Sequence, residues 1–244
     1  MFNALKSEFT KTLTLRTTYI VAGVIVLLAI IIGIIVAVFS GISTSPGRTD
    51  TGVLNSAVQS TVSTTIAIFA IVASLSILNE YRHGTLAYTI TASRSRYTVF
   101  IAKVIVTLAC GLAVSFVASI IAILAALIGL AASSGPVSSQ VLDIGGLLVH
   151  EGLHVSFYIL AGLFLGFILR NIIIVIVIIF VLPIVENLSS LLLKEGAQYL
   201  PFSSFGAVSR IGDGAAEAGV VVMAFVYVLA LGAAAVILFV KRDA

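Results

Sequence analysis

Six runs of apolar residues decide what this chain can fold into. Each is near or above the ~20 residues that a helix needs to cross ~30 Å of hydrocarbon. They fall at about 18–39, 56–78, 99–131, 151–169, 172–193 and 217–240. Only 9% of residues are charged, far below the ~25% of a soluble domain, so the bilayer is the solvent. The expected fold is an all-α membrane protein: one domain over 1–244, with six transmembrane helices. The third run is too long for a simple span and is expected to project into water at its Lys103 end. The fourth and fifth are separated by Arg170-Asn171 alone and read as an antiparallel hairpin.

Lys and Arg close to spans stay in the cytoplasm, which gives the orientation. With the amino terminus inside, the inner set is Lys6, Lys11, Arg16, Arg82, Arg94, Arg96, Lys103, Arg170, Lys241 and Arg242. Arg48, Lys194 and Arg210 remain outside, ten against three. Both termini are therefore expected in the cytoplasm, and the net charge of +3 reflects topology and implies no nucleic-acid partner. A cleaved signal peptide has an apolar core of about 7–15 residues. The run from Tyr19 to Phe39 exceeds that and reads as a retained helix. Ahead of it, in residues 1–17, Phe2, Leu5, Phe9 and Leu13 recur at spacings of three and four among Lys6, Glu8 and Lys11. This is the pattern of an amphipathic helix on the inner membrane surface. The single cysteine, Cys110, excludes an internal disulfide.

Lipid gives apolar helices no drive to associate, so small residues mark close-packed faces. Gly162 and Gly166 in the fourth span fit, as do Gly111, Ser115 and Ser119 in the third. The second span is polar at its outer end, with Gln59, Ser60, Thr61, Ser63, Thr64 and Thr65, and Ser74 continues one face inward. Such a face meets protein or lines a water-accessible path, and Gln59, Ser63 and Thr64 are its candidate residues. Glu186 joins them as an intramembrane carboxylate beside Pro183; its other reading is an interfacial residue where the fifth span ends. Residues 188–216 are semi-apolar and expected to pack short helices on the outer face.

His150-Glu151-Gly152-Leu153-His154 matches H-E-x-x-H, in which two histidines one helical turn apart share zinc while the glutamate activates water. An intramembrane metalloprotease is thus a rival reading. Against it, the motif falls at the mouth of the predicted fourth span, Gly152 weakens the helix, and only isolated acids such as Glu186 or Asp143 remain as a third ligand. No metal site is therefore assigned. There is no G-x-S-x-G elbow and no phosphate-binding loop, so no catalytic residue and no nucleotide site is expected in this chain.

Between the second and third spans, Asn79-Glu80-Tyr81-Arg82-His83-Gly84-Thr85-Leu86 leads to Arg94-Ser95-Arg96 and Lys103. This charged loop resembles the most recognisable segment of ABC-2 type permeases, the membrane subunits of a class of ATP-driven exporters. The start, Leu5-Lys6-Ser7-Glu8-Phe9-Thr10-Lys11, is similar to that family's opening. Gly166 through Arg170-Asn171, Tyr199-Leu200-Pro201-Phe202 and the closing Lys241-Arg242-Asp243-Ala244 look like its usual features. H-E-x-x-H is not associated with it. The resemblance implies a multi-pass permease of the bacterial cell membrane that pairs with a second permease, identical or different. It also implies docking on two copies of a cytoplasmic ABC ATPase that hold ATP and Mg. The inner loop would carry a coupling helix, with Glu80, Tyr81, Arg82, His83, Gly84 and Thr85 at the ATPase interface, and spans two and five would line the pathway. A sensor or immunity subunit using the same docking without moving a solute is a further reading.

Overall fold

The computed structural model describes residues 2–42, 50–85, 95–132, 144–209 and 218–242. All regular structure among them is helical: α1 (Phe2–Thr14), α2 (Arg16–Ile42), α3 (Asp50–His83), α4 (Arg96–Ala132), α5 (Ile144–Leu169), α6 (Ile172–Leu193), a 3-10 helix (Lys194–Tyr199), α7 (Pro201–Ala207) and α8 (Ala218–Arg242). Six of these, α2 to α6 and α8, are long and apolar enough to cross a membrane. Runs such as Ile30-Ile31-Ile32 and Ile172-Ile173-Ile174 are β-branched and would suit strands in water. In hydrocarbon each N–H and C=O must be satisfied within its own segment, and that requirement overrides the propensity.

The six long helices run alternately up and down, so α1, the end of α3, the start of α4, the α5–α6 turn and the end of α8 share what we term the proximal end. The Arg96 guanidinium donates to the Val240 carbonyl across it at 3.4 Å. The 3-10 helix and α7 cap the distal end. The α5–α6 turn takes two residues. Arg170 adopts a left-handed conformation (φ 52°), and the Asn171 carboxamide oxygen accepts from the N–H groups of Ile173 and Ile174, starting α6. α6 then continues through Pro183.

Two contacts organise the bundle. α5 lies on α3 at Gly162 and Gly166: a methyl on Gly162 would overlap the Ala70 backbone, and one on Gly166 would sit 2.8 Å from Ile77 and 3.2 Å from Ser74. Gly111 of α4 likewise gives room to Ile159 of α5, so both small-residue faces read from the sequence pack within the chain. Aromatic clusters add α8 and α7. Phe100, Phe164, Phe167 and Phe239 join α4, α5 and α8, and Phe157, Tyr158, Phe202 and Phe205 hold α7 against α5.

Three expectations need correction. Lys103 itself does not face water, being 3% exposed. H-E-x-x-H does not sit at a helix mouth, because α5 begins at Ile144 and passes unbroken through Gly152. Glu186 does not stand where its helix ends: its side chain is buried and α6 continues to Leu193.

Candidate functional site

α1 packs on the proximal ends of α3 and α4 through charge. Glu8 comes from the face of α1 turned toward the bundle, Glu80 from the last turn of α3 and Lys103 from the second turn of α4, and all three are buried. The Lys103 ammonium has three protons and three acceptors: Glu8 Oε2 at 2.7 Å, Glu80 Oε1 at 3.1 Å and the Ser76 carbonyl at 3.3 Å. Lys11 bridges the same carboxylates from the open side, 2.8 Å from Glu8 Oε1 and 3.1 Å from Glu80 Oε1. Two cations and two anions thus neutralise one another where bare ions would be costly. Phe9 and Leu13, on the other faces of α1, stay exposed.

Glu8 and Lys11 titrate at opposite extremes. Burial pushes the Glu8 carboxyl up, but Lys103 and Lys11 more than offset it and hold it below 4.5. Burial pulls the Lys11 ammonium down, and Glu8 and Glu80 carry it above 10.5. The lowered acid contributes stability above its unfolded pKa and loses it as pH falls through the folded value; the raised base contributes below its unfolded pKa and loses it as pH rises through the folded one. Hydrogen exchange of the α1 amides, corrected for intrinsic rates, is therefore expected to show protection across neutral pH that collapses below 4.5 and above 10.5. Protection that stayed flat through the acid limb would show that Glu8 does not hold α1.

Beyond Glu80 the chain turns outward. Gly84 takes a left-handed conformation (φ 64°), its N–H reaching the Tyr81 carbonyl and that of Thr85 the Glu80 carbonyl, the double closure that ends a helix at glycine. Arg82, His83, Gly84 and Thr85 are exposed, while the His83 Nδ1 donates to the Asn79 carbonyl at 2.8 Å. Tyr81 lies beneath the Arg170 guanidinium, 4.6 Å from ring centre to Cζ, so the α5–α6 turn rests on the end of α3. The residues read from sequence as one interface divide: Glu80 and Tyr81 face other helices, and four residues face solvent. Leu86 and Arg94 lie outside the described residues, as does the rest of 86–94. Sequence reasoning left Glu8, Lys11 and Lys103 out of this site, although Glu8 was already visible as an acid inside an amphipathic pattern.

The second predicted group also divides. Gln59, Ser63 and Thr64 are exposed along one flank of α3. Thr61 and Thr65 point into the bundle and return their hydroxyls to the Ala57 and Thr61 carbonyls. Glu186 is buried elsewhere, where its carboxylate accepts from the Phe202 and Ser203 N–H groups (3.2 and 2.7 Å) and the Ser203 hydroxyl (3.0 Å). It caps the start of α7 and ties the distal layer to α6. That use removes Glu186 as a third ligand for H-E-x-x-H. His154 Nδ1 instead stands 3.5 Å from Glu151 Oε2, without hydrogen-bond geometry. Among the described residues no three His, Cys, Asp or Glu side chains are placed to hold a metal, and Asp143 lies outside them.

Compared with known families, residues 4–186 match one described as ABC-2 family transporter protein. No curated protein matches the chain.

Proposed function

The chain belongs to the ABC-2 transporter family, and from that premise we propose that it is the permease subunit of an ATP-driven exporter. It pairs with a second permease, and each docks on a cytoplasmic ATP-binding subunit, two copies in all. The ATPase holds ATP and Mg and carries out hydrolysis; this chain contributes no catalytic residue. Both termini lie in the cytoplasm of a bacterial cell, with the proximal end facing the ATPase.

One observation carries this reading. The buried network of Glu8, Lys11, Glu80 and Lys103 locks α1, α3 and α4 together at the end where Arg82 to Thr85 stand exposed. A push on the connection after Arg82 therefore reaches two spans and the amino-terminal helix at once. Rocking a rigid group of this kind is how closure of two ATPase subunits would alternate a pathway between its two openings. The exposed Gln59, Ser63 and Thr64 flank of α3 is the surface a second permease would enclose as that pathway. Spans with so little charge suit an amphipathic, lipid-like, peptide or drug cargo.

The test is co-purification from mild detergent of wild type and an Arg82→Ala/His83→Ala double variant, followed by identification of the bound chains and an ATPase assay. Both side chains are exposed, so the variant should elute and melt like wild type while recovering at least about tenfold less ATPase, a loss near 1.4 kcal/mol of binding. Recovery of no ATPase by wild type, or equal recovery by the variant, would remove docking at this loop.

A further inference from the structure

Toward the distal end, α3 turns polar side chains outward at a depth where the neighbouring α4 turns apolar ones outward. The contact between Lys103 and Glu80 sets the register, because α3 and α4 run in opposite directions from it. Gln59 stands 21 residues from Glu80 and Leu124 stands 21 residues from Lys103, so both lie roughly 32 Å from that contact at 1.5 Å per residue. Around this depth α4 exposes Ile120, Leu124 and Ile128. On α3 the exposed residues are Gln59, Ser63 and Thr64, with Ser60 and Ala67 half-buried beside them. Thr64 returns its hydroxyl to the Ser60 carbonyl. The Gln59 carboxamide and the Ser60 and Ser63 hydroxyls have no hydrogen-bond partner among the described residues. Hydrocarbon satisfies no such group, so lipid is not what covers this flank.

We infer that a second copy of this chain covers it, with Gln59 of each copy meeting Gln59 of the other near the distal end and Ser63 meeting Ser63 one turn below. The inference rests on the reading of this flank as the side turned to a second permease, and it says which permease that is. Two permeases share one orientation in the membrane, so an axis relating identical copies runs along the membrane normal and equal depths meet. A face that meets itself must be its own complement. Carboxamides and hydroxyls both donate and accept, whereas a charged side chain at the axis would face its own charge. No Asp, Glu, Lys or Arg lies between Asp50 and Glu80. Ser60, Ser63 and Ala67 are small enough to let two backbones approach. The polar wall of the pathway is thus built from both copies of α3 and is incomplete in one.

Cysteine cross-linking in the native membrane tests this. In a Cys110→Ser background each variant carries one thiol, so a covalent dimer joins a position to itself. Gln59→Cys and Ser63→Cys, replacing the wild-type gene in its host and treated with a short membrane-permeant bismaleimide, are expected to give peptides linked to their own copies. Leu124→Cys, at the same depth on α4 and 54% exposed, should give none. Co-purification of two differently tagged copies reads the same contact through charge. Gln59→Glu in both copies, or Gln59→Lys in both, should lower recovery of the second copy at least about tenfold, and one copy of each should restore it. Position 59 is exposed, so every variant should keep wild-type helicity. Absent self-linkage at 59 and 63, linkage of either to a different chain, equal linkage at 124, or no restoration by Gln59→Glu with Gln59→Lys would overturn the assignment. Self-linkage with no ATPase recovered would remove docking alone, and ATPase recovered with a different chain linked at 59 would remove the identical pair alone.

Discussion

Lys103→Met is expected to release α1 and to lower the unfolding free energy by about 3–5 kcal/mol, the usual cost of removing one partner from a buried ion network. Methionine fills much of the same volume, so the loss comes from charge. Glu8 and Glu80 would remain buried with Lys11 as their shared cation, and Lys11 lies on the open side. Lys103→Glu should be worse, because it brings a third carboxylate into the cluster. Exchanging the charges, Glu8→Lys with Lys103→Glu, restores two cations and two anions and should recover a substantial part of the loss. Denaturant unfolding in micelles across these variants gives the coupling energy directly. A Lys103→Met protein within about 1 kcal/mol of wild type would mean that α1 is held by something else.

Gly162→Leu should prevent assembly of the bundle. The first atom of any side chain there meets the Ala70 backbone, which cannot rotate aside, so α5 must lift away from α3 along their shared face. Overpacking costs about 1–3 kcal/mol when side chains can adjust, and more when they cannot. The gap must also be filled in a solvent that gives separated helices no penalty for staying apart. The expected readout is loss of the monodisperse peak on fluorescence-detected gel filtration, with Gly162→Ala already reduced. Gly23→Ala is the matched control: its methyl would meet nothing within 4 Å, so it should be neutral or slightly stabilising. A Gly162→Leu protein eluting and melting like wild type would refute the close approach.

Sequence legibility followed the range of the forces involved. The span at 172–193 coincides with α6 because Arg170-Asn171 is both a break in hydrophobicity and a local capping signal. The spans read as 56–78 and 151–169 came out short, since α3 runs on through the polar stretches Asp50 to Asn55 and Asn79 to His83, and α5 starts ahead of Gly145-Gly146 and His150, where hydropathy falls while the helix continues. Lys103 was misread because its partner Glu8 stands 95 residues away, and no periodicity reports such a pair. The partners of Glu186 were hidden for a similar reason: the start of α7, which it binds, follows a 3-10 helix that hydropathy does not predict. The exposed part of the site, Arg82 to Thr85, was legible as charge. The buried part that anchors it was legible only in three dimensions.

The two-residue turn at Arg170 and Asn171 has a consequence for biosynthesis. Two extended residues reach about 7 Å, against ~30 Å of bilayer. α5 therefore cannot cross and leave α6 waiting at any distance, and α6 exposes isoleucine, valine and leucine on several faces and cannot wait in water. The two helices enter the membrane as a pair, and the closed turn they deliver to the proximal side is the surface on which Tyr81 later comes to rest.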